Sequence, residues 1–344
     1  MKVKINGGTE NYRTVWLDGL KVRLINQLKL PYKFEIFQCR DYQETASAIR
    51  DMVVRGAPAI GATAAYGLAQ AVNSFDGKFD ELGPFVESAK STLATRPTAH
   101  DLFDGLDYVG RAVMAAGGLD DAKTQSIAAS CRYADESAQR CRKIGEIGQK
   151  LIKDGARVLT HCNAGALGCV DYGTALAPIR FASGRGIFVW VDETRPRLQG
   201  ARLTAWELAQ EGINHSIIAD NAAGYFMQNG EVDIVIVGAD RIAKNADVVN
   251  KIGTYEKAIL AKENGIPFYV AAPTTTIDKT CACGKDAIIE ERTTDEVLFA
   301  EGPDKRGVIQ KIRIANPASS AKNPAFDVTP AKYVAGIITE GGII

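Results

Sequence analysis

A cysteine stands at the point where an apolar run ends and polar residues begin. Residues 156–160 (Ala-Arg-Val-Leu-Thr) are typical of a buried strand, and His161, Cys162 and Asn163 follow directly. The glycine-punctuated segment after Asn163 predicts a helix that begins beside the thiol. Ligands of open α/β sheets bind outside the carboxyl ends of the strands, and a helix N-terminus there favours anions and thiolates. We therefore take Cys162 as the first candidate active-site residue.

Three further predicted strands also end in polar residues. Because the carboxyl ends of parallel strands meet at one edge of a sheet, we expect the four polar clusters to converge. A single polar strand end is usually a helix cap, but four of them together with a thiol predict an active site. The three additional clusters are Asp192-Glu193-Thr194-Arg195, Asp220-Asn221 and Gly238-Ala239-Asp240-Arg241.

The types of residue at these strand ends leave alternatives open. His161 is adjacent to Cys162, so on an extended strand its side chain would face the opposite way. We therefore interpret His161 as a packed residue, and the chain does not look like a cysteine hydrolase. Cys162 could instead be a buried structural thiol, and Asp240 could cap a helix or pair with Arg241.

Cationic and amide groups could supply the other half of a site. Arg55-Gly56-Ala57-Pro58 offers a guanidinium and free backbone N–H groups at a predicted helix start, which suits phosphate. Arg96-Pro97-Thr98 repeats this pattern, and Asn250-Lys251 lies on a loop that Gly253 ends. Together these cations indicate an anionic small molecule. The chain has neither GxGxxG after a strand nor GxxxxGK followed by Ser or Thr, so nicotinamide and ATP chemistry lack their usual motifs.

The composition is that of an ordinary globular protein. The chain has 344 residues, 46% hydrophobic and 24% charged, with 41 basic and 41 acidic side chains and therefore no net charge. This length favours about two domains. Nothing in the charge balance favours nucleic acid, no apolar run approaches the ~18 residues of a membrane span, and the N-terminus lacks an apolar signal segment. We expect a cytoplasmic protein that binds neither nucleic acid nor membrane.

The cysteines and histidines argue against a metal site. Seven cysteines are scattered along the chain without a CxxC pair, and the only histidines are His100, His161 and His215. Cys281 and Cys283 are too close together for an ordinary zinc half-site, and no second half-site follows. We therefore predict that the protein has no metal ligands.

The hydrophobic periodicity changes twice along the chain. Residues 14–40 alternate apolar and polar positions, which predicts a small antiparallel unit with a hairpin. From residue 42 to about 150 the period is helical. Continuous apolar strands then alternate with helices, which predicts a doubly wound parallel sheet. We expect an α/β protein with a β-hairpin plus helical domain over residues 1–150 and the parallel sheet over 151–344. The predicted strands are 156–161, 187–191, 216–219, 232–237 and 267–272, the helices between them span about 170–183, 201–211, 221–229 and 254–264, and residues 276–306 are expected to form loops before a final strand.

Several long motifs occur in a fixed order along nearly the whole chain from about residue 14. They are Arg55-Gly56-Ala57-Pro58-Ala59-Ile60-Gly61, Arg96-Pro97-Thr98-Ala99, Thr160-His161-Cys162-Asn163-Ala164-Gly165-Ala166-Leu167, Asp192-Glu193-Thr194-Arg195-Pro196, Leu198-Gln199-Gly200-Ala201-Arg202-Leu203-Thr204, Gly238-Ala239-Asp240-Arg241-Ile242, Asn250-Lys251-Ile252-Gly253-Thr254-Tyr255 and Pro324-Ala325-Phe326-Asp327-Val328-Thr329-Pro330. In this order they resemble the methylthioribose-1-phosphate isomerase family, which is related to regulatory subunits of translation initiation factor 2B.

The resemblance implies a cofactor-free aldose–ketose isomerisation in methionine salvage, which converts 5-methylthio-α-D-ribose 1-phosphate into 5-methylthio-D-ribulose 1-phosphate. It also implies a homodimer with a helical N-terminal domain and a Rossmann-like C-terminal domain. By position, Asp240 resembles the family's general acid/base, and Cys162 resembles its second catalytic residue, which assists the transition state. The positions that resemble its substrate contacts are Arg55, Gly56, Ala57, Arg96, Gln199, Asn250 and Lys251.

The implied chemistry agrees with these residue types. The C1 oxygen of the substrate carries phosphate, so ring opening needs an acid at the ring oxygen, for which Asp240 is the candidate. An apolar site can keep a carboxylic acid protonated at neutral pH. Hydrogen must then move between C2 and C1, by an enediolate route or by a hydride shift. Cys162 could be the base or could stabilise charge.

Departures from the family's pattern keep the 5-substituent open. Gly168-Cys169-Val170-Asp171 stands where small, uncharged residues are expected, and His100-Asp101 stands where an apolar residue and Asn are usual. Ribose 1,5-bisphosphate and 5-deoxyribose 1-phosphate are therefore alternative substrates. A non-catalytic regulatory protein of the initiation-factor kind would not need both Cys162 and Asp240. A redox-sensing thiol would need a resolving cysteine, and Cys169 would lie about two turns into the predicted helix.

Overall fold

A computed structural model describes residues 1–5, 7–96 and 99–344 of the chain. The first forty residues form two small antiparallel units, a hairpin and a three-stranded sheet of order β3-β4-β5. The three-stranded sheet confirms the antiparallel unit predicted for residues 14–40, whereas the preceding hairpin was not predicted. The strands are β1 (Lys2–Ile5), β2 (Gly8–Asn11), β3 (Val15–Asp18), β4 (Lys21–Ile25) and β5 (Ile36–Cys39).

Helices follow the small sheet, as the helical periodicity predicts. The second of them is buried along nearly its whole length. It packs closely against the fourth helix at Gly61. A Cβ built on Gly61 would lie only 2.5 Å from the carbonyl oxygen of Asp101. The helices are α1 (Tyr42–Arg50), α2 (Ala57–Ser74), α3 (Leu82–Leu93), α4 (His100–Met114) and α5 (Leu119–Gly148).

The remainder of the chain alternates strands and helices. All five predicted strands are confirmed, and four helices stand between them in the predicted order. The elements up to the fifth of these strands are β6 (Arg157–Thr160), α6 (Leu176–Phe181), β7 (Phe188–Asp192), α7 (Ala205–Glu211), β8 (His215–Ile218), α8 (Ala223–Gln228), β9 (Ile234–Val237), β10 (Arg241–Ala243), β11 (Val248–Lys251), α9 (Thr254–Glu263) and β12 (Phe268–Ala271). The last elements are β13 (Ile277–Asp278), α10 (Asp295–Leu298), β14 (Phe299–Pro303), β15 (Ile309–Arg313), β16 (Phe326–Thr329), β17 (Gly336–Thr339) and β18 (Gly342–Ile343).

The main sheet has seven strands in the order β18-β17-β12-β9-β6-β7-β8, and all neighbours except β17 and β18 are parallel. When the six parallel strands are numbered along the chain, their order is 3-2-1-4-5-6, the arrangement of a Rossmann fold. Val158 packs with helices α5, α6 and α7 on one face, while Leu159 packs with α8 and α9 on the other. The sheet is therefore doubly wound, and its strand order reverses between β6 and β9.

Two expectations about the bounds of secondary-structure elements are wrong. Residues 276–306 are not all loop, because β14 begins at Phe299 and pairs in antiparallel register with β15. This hairpin is largely exposed and carries no core-facing alternation that a sequence pattern could reveal. The helix predicted over 170–183 begins only at Leu176. A second sheet of order β13-β10-β11-β16 was also not predicted.

We propose a domain boundary near residue 150. One apolar cluster draws its buried members from residues 15–138 together with Val170. Two others, on the two faces of the main sheet, draw theirs from residues 144–338. A separate cluster joins Leu30 of the N-terminal half to Leu167 and Leu203 of the C-terminal half. In the part of the chain that the structure describes, no helix is long and apolar enough to cross a membrane.

Candidate active site

A pocket with a cavity volume of about 110 Å³ lies where the strand order of the main sheet reverses. Ligands of doubly wound sheets bind at this position. One wall follows β6 and β9, and the N-terminus of α2 forms part of the opposite wall. The structure brings all nine predicted site residues to the lining of this one pocket: Cys162, Asp240, Arg55, Gly56, Ala57, Arg96, Gln199, Asn250 and Lys251. Pro97 and Thr98, which belong to the Arg96 motif, lie outside the described residues.

Cys162 occupies an unusual backbone conformation immediately after β6. Its φ of +64° lies in the left-handed region, which non-glycine residues rarely adopt. Two threonines hold this conformation: the Cys162 N–H donates to Thr194 Oγ1 at 2.9 Å, and Thr204 Oγ1 donates to the Cys162 carbonyl at 2.6 Å. Hydrogen bonds therefore hold both the N–H and the carbonyl of Cys162, and its half-buried thiol lines the pocket.

The helix predicted to begin beside Cys162 is absent from the described structure. A loop with a short 3₁₀ turn, Ala166–Gly168, takes its place. The cause is Glu207 of α7, whose buried carboxylate accepts hydrogen bonds from the Ala166 N–H at 2.8 Å and the Leu167 N–H at 3.2 Å. It also accepts from Asn163 Nδ2 at 2.9 Å and from Arg180 Nη2 at 2.8 Å. We name this arrangement the Glu207 clamp.

The helix N-terminus at the pocket belongs to α2 instead. Its N-cap, Gly56, has a φ of +92°, and Pro58 stands in the first turn. The first N–H groups of a helix have no partner within it and favour an anion. Arg55 Nη2 donates to the Asn163 carbonyl at 2.7 Å, so this helix start is tied to the turn that follows Cys162.

Among the residues that the structure describes, five cationic side chains line the pocket, against a single carboxylate, that of Asp240. Arg55 and Arg96 each bury an Nη1 atom that has no hydrogen-bond partner among the described residues. Burial lowers the pKa of Arg96, and the nearby Arg292 lowers it further. Burial also lowers the pKa of Lys251 to about 8. The pocket thus concentrates positive charge with unused donors, which suits a phosphate.

Two of these cations, Arg197 and Arg292, were missed by sequence reasoning. Arg197 Nη1 contacts Met52 Sδ and lies 3.3 Å from Glu296 Oε1. Arg292 pairs with Glu290 at 3.2 Å. Arg197 stands two residues before Gln199, at the single position between two motifs already noted, and this position was a usable signal. Arg292 lies in a segment predicted as loop, which offered none.

The polar contacts of the remaining site residues are as follows. Gln199 is 6% exposed, and its buried Oε1 has no partner among the residues that the structure describes. Asn250 Nδ2 donates to Thr254 Oγ1 at 3.0 Å. Lys251 Nζ donates to the Ala325 carbonyl at 2.8 Å and lies 4.0 Å from the centre of the Phe326 ring.

Asp240 does not fill either of the structural roles considered for it. It precedes strand β10 rather than a helix, so it is not a helix cap. Arg241 pairs with Asp278 at 3.3 Å, and no ion pair of Asp240 occurs within the described ranges. The Asp240 N–H donates to the Val249 carbonyl at 3.0 Å, which holds this strand end beside β11. Its carboxylate is left facing the pocket.

Three ligand-type side chains, His161, Asp192 and Asp220, have donor atoms within 4.8 Å of one another. This is a grouping that the sequence did not predict. The Lys257 ammonium already lies 3.6 Å from Asp192 Oδ2. Asp220 accepts the N–H groups of Thr194 and Arg195 at 2.7 and 2.6 Å. Both Asp220 oxygens therefore have protein donors, and Asp192 Oδ2 contacts His161 and Lys257, whereas Asp192 Oδ1 has no partner among the described residues.

The fold and the pocket together define a class: a Rossmann-like α/β protein with a cationic ligand site at the switch point of its sheet. The chain belongs to the initiation factor 2 subunit family, whose model matches residues 53–344.

Among relatives of known sequence, methylthioribose-1-phosphate isomerase of Acetivibrio thermocellus is 50% identical over 333 residues, and the match covers 94% of each chain. The crystal structure of 5-methylthioribose 1-phosphate isomerase from Pyrococcus horikoshii OT3 is 44% identical with a TM-score of 0.88, covering 97% of this chain and 93% of that one. The crystal structure of the translation initiation factor eIF-2B, subunit delta, from A. fulgidus is 43% identical with a TM-score of 0.85, covering 97% of this chain and 96% of that one.

Proposed function

We propose that this protein is an isomerase that interconverts 5-methylthio-α-D-ribose 1-phosphate and 5-methylthio-D-ribulose 1-phosphate in L-methionine salvage, without a cofactor. The observation that carries the proposal is the convergence of Cys162 and Asp240 on one pocket with five cationic side chains. A thiol and a carboxylate supply proton-transfer groups, and the cations supply a phosphate site. The names of the similar enzymes from A. thermocellus and P. horikoshii support the same reaction.

In this proposal the phosphate binds at the start of α2. The N–H groups at Gly56 and Ala57 and the unused guanidinium donors of Arg55 and Arg96 face the same space. A dianion there gains from the positive end of the helix and from charge-assisted hydrogen bonds. On the other wall, Gln199, Asn250 and Lys251 contact the rest of the sugar phosphate.

The reaction is an internal transfer that needs no external oxidant or reductant. Asp240 donates a proton to the ring oxygen as the bond from C1 to that oxygen breaks, which opens the ring. Hydrogen then passes from C2 to C1, and the C2 hydroxyl becomes a carbonyl as its proton passes to the carboxylate that Asp240 has become. Cys162 assists this second step, either as a base on an enediolate route or by stabilising the charge that develops in a hydride shift.

A turnover assay with purified protein tests this proposal. Methylthioribose 1-phosphate should give the ketose product, and 5-deoxyribose 1-phosphate and ribose 1,5-bisphosphate serve as alternative substrates that identify the 5-substituent. Absence of a ketose product from all three would refute the isomerase proposal. It would favour the non-catalytic role implied by the name of the A. fulgidus structure, because overall identity of 43% or 44% does not separate the two functions.

Asp240→Asn removes the proposed acid while keeping the shape of the side chain. We expect kcat to fall by about 10²–10⁴-fold, the usual contribution of a general acid or base, while the calorimetric Kd for methylthioribose 1-phosphate changes less than about threefold. Asp278→Asn is the matched control, because Asp278 is an acid that pairs with the neighbouring Arg241 and does not line the pocket. Unchanged turnover in Asp240→Asn would remove this residue from the proposed chemistry.

We further propose that the enzyme is a cytoplasmic homodimer. The dimer follows from the family resemblance, and sedimentation velocity of the purified chain tests it. All seven cysteines carry free thiols in the structure, which is compatible with a reducing compartment. Fractionation of cells that express the chain tests this location.

A further inference from the structure

His161 joins the two chain segments that carry Cys162 and Lys251. Its ring is 1% exposed. Nδ1 lies 2.8 Å from Asp192 Oδ2, and Nε2 lies 2.8 Å from the carbonyl oxygen of Ile252. Cys162 follows His161 directly in the chain, and Lys251 directly precedes Ile252. The hydrogen bond between His161 and Ile252 therefore connects the residue next to Cys162 with the residue next to Lys251.

The partners of the ring exclude a role as a base on the substrate. A carbonyl oxygen only accepts hydrogen bonds, so Nε2 of His161 carries a hydrogen that points at Ile252. The other nitrogen faces the carboxylate of Asp192, which is also 3.6 Å from the ammonium of the fully buried Lys257. Both ring nitrogens are engaged by protein groups. Neither is available to exchange a proton with a ligand in the pocket.

The Ile252 segment is shaped to receive this ring. Gly253 has a φ of +99°, and a Cβ built there would lie 3.1 Å from His161 Cε1. The Gly253 N–H donates to Asp327 Oδ2 at 2.7 Å, which fixes the far side of the same turn. The contact between ring and turn is therefore close, and a side chain at residue 253 would have to displace the ring by a few tenths of an ångström.

We propose that His161 is a positioning residue of the isomerase, which sets the separation between Cys162 on one side of the pocket and Asn250 and Lys251 on the other. This inference rests on the proposed function, because it assigns substrate contacts to Asn250 and Lys251. The bond from Nε2 to Ile252 ties these two residues, which β11 also holds through its pairing with β16, to the Cys162 segment. The bond from Nδ1 to Asp192 determines the orientation of the ring.

Two substitutions separate the two bonds. His161→Asn places an amide group near the position of Nδ1, so it keeps a polar contact with Asp192 and leaves the Ile252 carbonyl unsatisfied. His161→Gln places its amide nitrogen near the position of Nε2 and keeps the bond to Ile252. We expect KM and the calorimetric Kd for methylthioribose 1-phosphate to rise about tenfold in His161→Asn and less than about threefold in His161→Gln, with similar loss of thermal stability in both.

Two further variants complete the experiment. His215→Gln is the control, because His215 Nδ1 bonds to the Ile213 carbonyl at 2.7 Å without lining the pocket, and its KM should not change. Gly253→Ala disturbs the same contact between the His161 ring and the turn at Ile252, but from the side of the turn. It leaves the buried charged groups unchanged. It should raise KM about tenfold even if the His161 variants do not fold.

The outcomes distinguish this inference from the proposed function. Equal KM and Kd in His161→Asn and His161→Gln, or an unchanged KM in Gly253→Ala, would refute the positioning role. A wild-type chain that binds methylthioribose 1-phosphate without turning it over would refute the isomerase proposal, and the Kd comparison would still test His161. A wild-type chain that does not bind the sugar phosphate would overturn both.

Discussion

Replacing Gly56 with alanine places a methyl group between the two walls of the pocket. A Cβ built on Gly56 lies 2.6 Å from the carbonyl carbon of Gly168 and closer still to its oxygen. Carbon atoms in ordinary contact are about 3.5–4.0 Å apart, so the start of α2 and the turn after Cys162 would have to separate by about 1 Å. Both partners are backbone, and neither can rotate away as a side chain could.

The expected loss of activity in Gly56→Ala follows from this displacement rather than from backbone strain alone. Alanine at a φ of +92° costs about 1–2 kcal/mol of stability whatever surrounds it. A displacement of about 1 Å between groups that position a substrate can lower the rate by about 10²-fold. We therefore expect kcat/KM of Gly56→Ala for methylthioribose 1-phosphate to fall about 100-fold, together with a loss of roughly 1–3 kcal/mol in the free energy of unfolding.

Gly186→Ala separates the two effects. Gly186 has a φ of +68°, and a Cβ there meets no atom within 4 Å. This variant should lose about 1–2 kcal/mol in urea denaturation while kcat/KM stays within about twofold of the wild type, since no pocket wall moves. If Gly56→Ala retains kcat/KM within about threefold of the Gly186→Ala value, the close approach of α2 to the Cys162 turn does not matter for function, and the reasoning fails.

Two further predictions concern charged groups. Lys251, whose pKa burial lowers to about 8, should lose its charge as the pH rises through that value. We expect kcat/KM to fall by up to about tenfold per pH unit above it and the fall to be absent in Lys251→Arg, whose guanidinium stays charged; an identical fall in the variant would assign the titration to another group. Glu207→Gln sets an amide NH₂ against the N–H groups of the clamp and deprives Arg180 of a carboxylate, so the free energy of unfolding in urea should fall by about 3–5 kcal/mol. Glu211→Gln, at the more distant 3.6 Å partner of Arg180, is its control, and equal losses in the two variants would contradict the Glu207 clamp.

The parallel sheet could be predicted because its strands are covered on both faces. Such strands are continuous apolar runs, so residues 156–161 and 232–237 were recognisable without tertiary information. Their polar ends then located Cys162 and Asp240 on one edge. The exposed β14–β15 hairpin gave no comparable signal, because its side chains face solvent and need no apolar alternation.

The local structure around Cys162 could not be predicted, because its causes lie far along the chain. The sequence after Asn163 has small residues and glycines, which are compatible with a helix start as well as with a tight turn. Glu207, about forty residues later, stabilises the turn because its carboxylate binds the backbone N–H groups of Ala166 and Leu167. The bond from His161 to Ile252 spans 91 positions and leaves no periodic trace either.

The turn after Cys162 is held by the N-terminal half of the chain as much as by the sheet. Thr14 Oγ1 donates to the Ala166 carbonyl at 2.6 Å, Gln27 Nε2 donates to the Leu167 carbonyl at 2.7 Å, and Arg55 Nη2 donates to the Asn163 carbonyl at 2.7 Å. Three separate N-terminal segments thus satisfy the carbonyl groups, while the Glu207 clamp satisfies the N–H groups. Because a backbone turn keeps its shape only when both kinds of group are paired, the geometry of the thiol depends on the contact between the two halves, and a parallel sheet alone would not reproduce it.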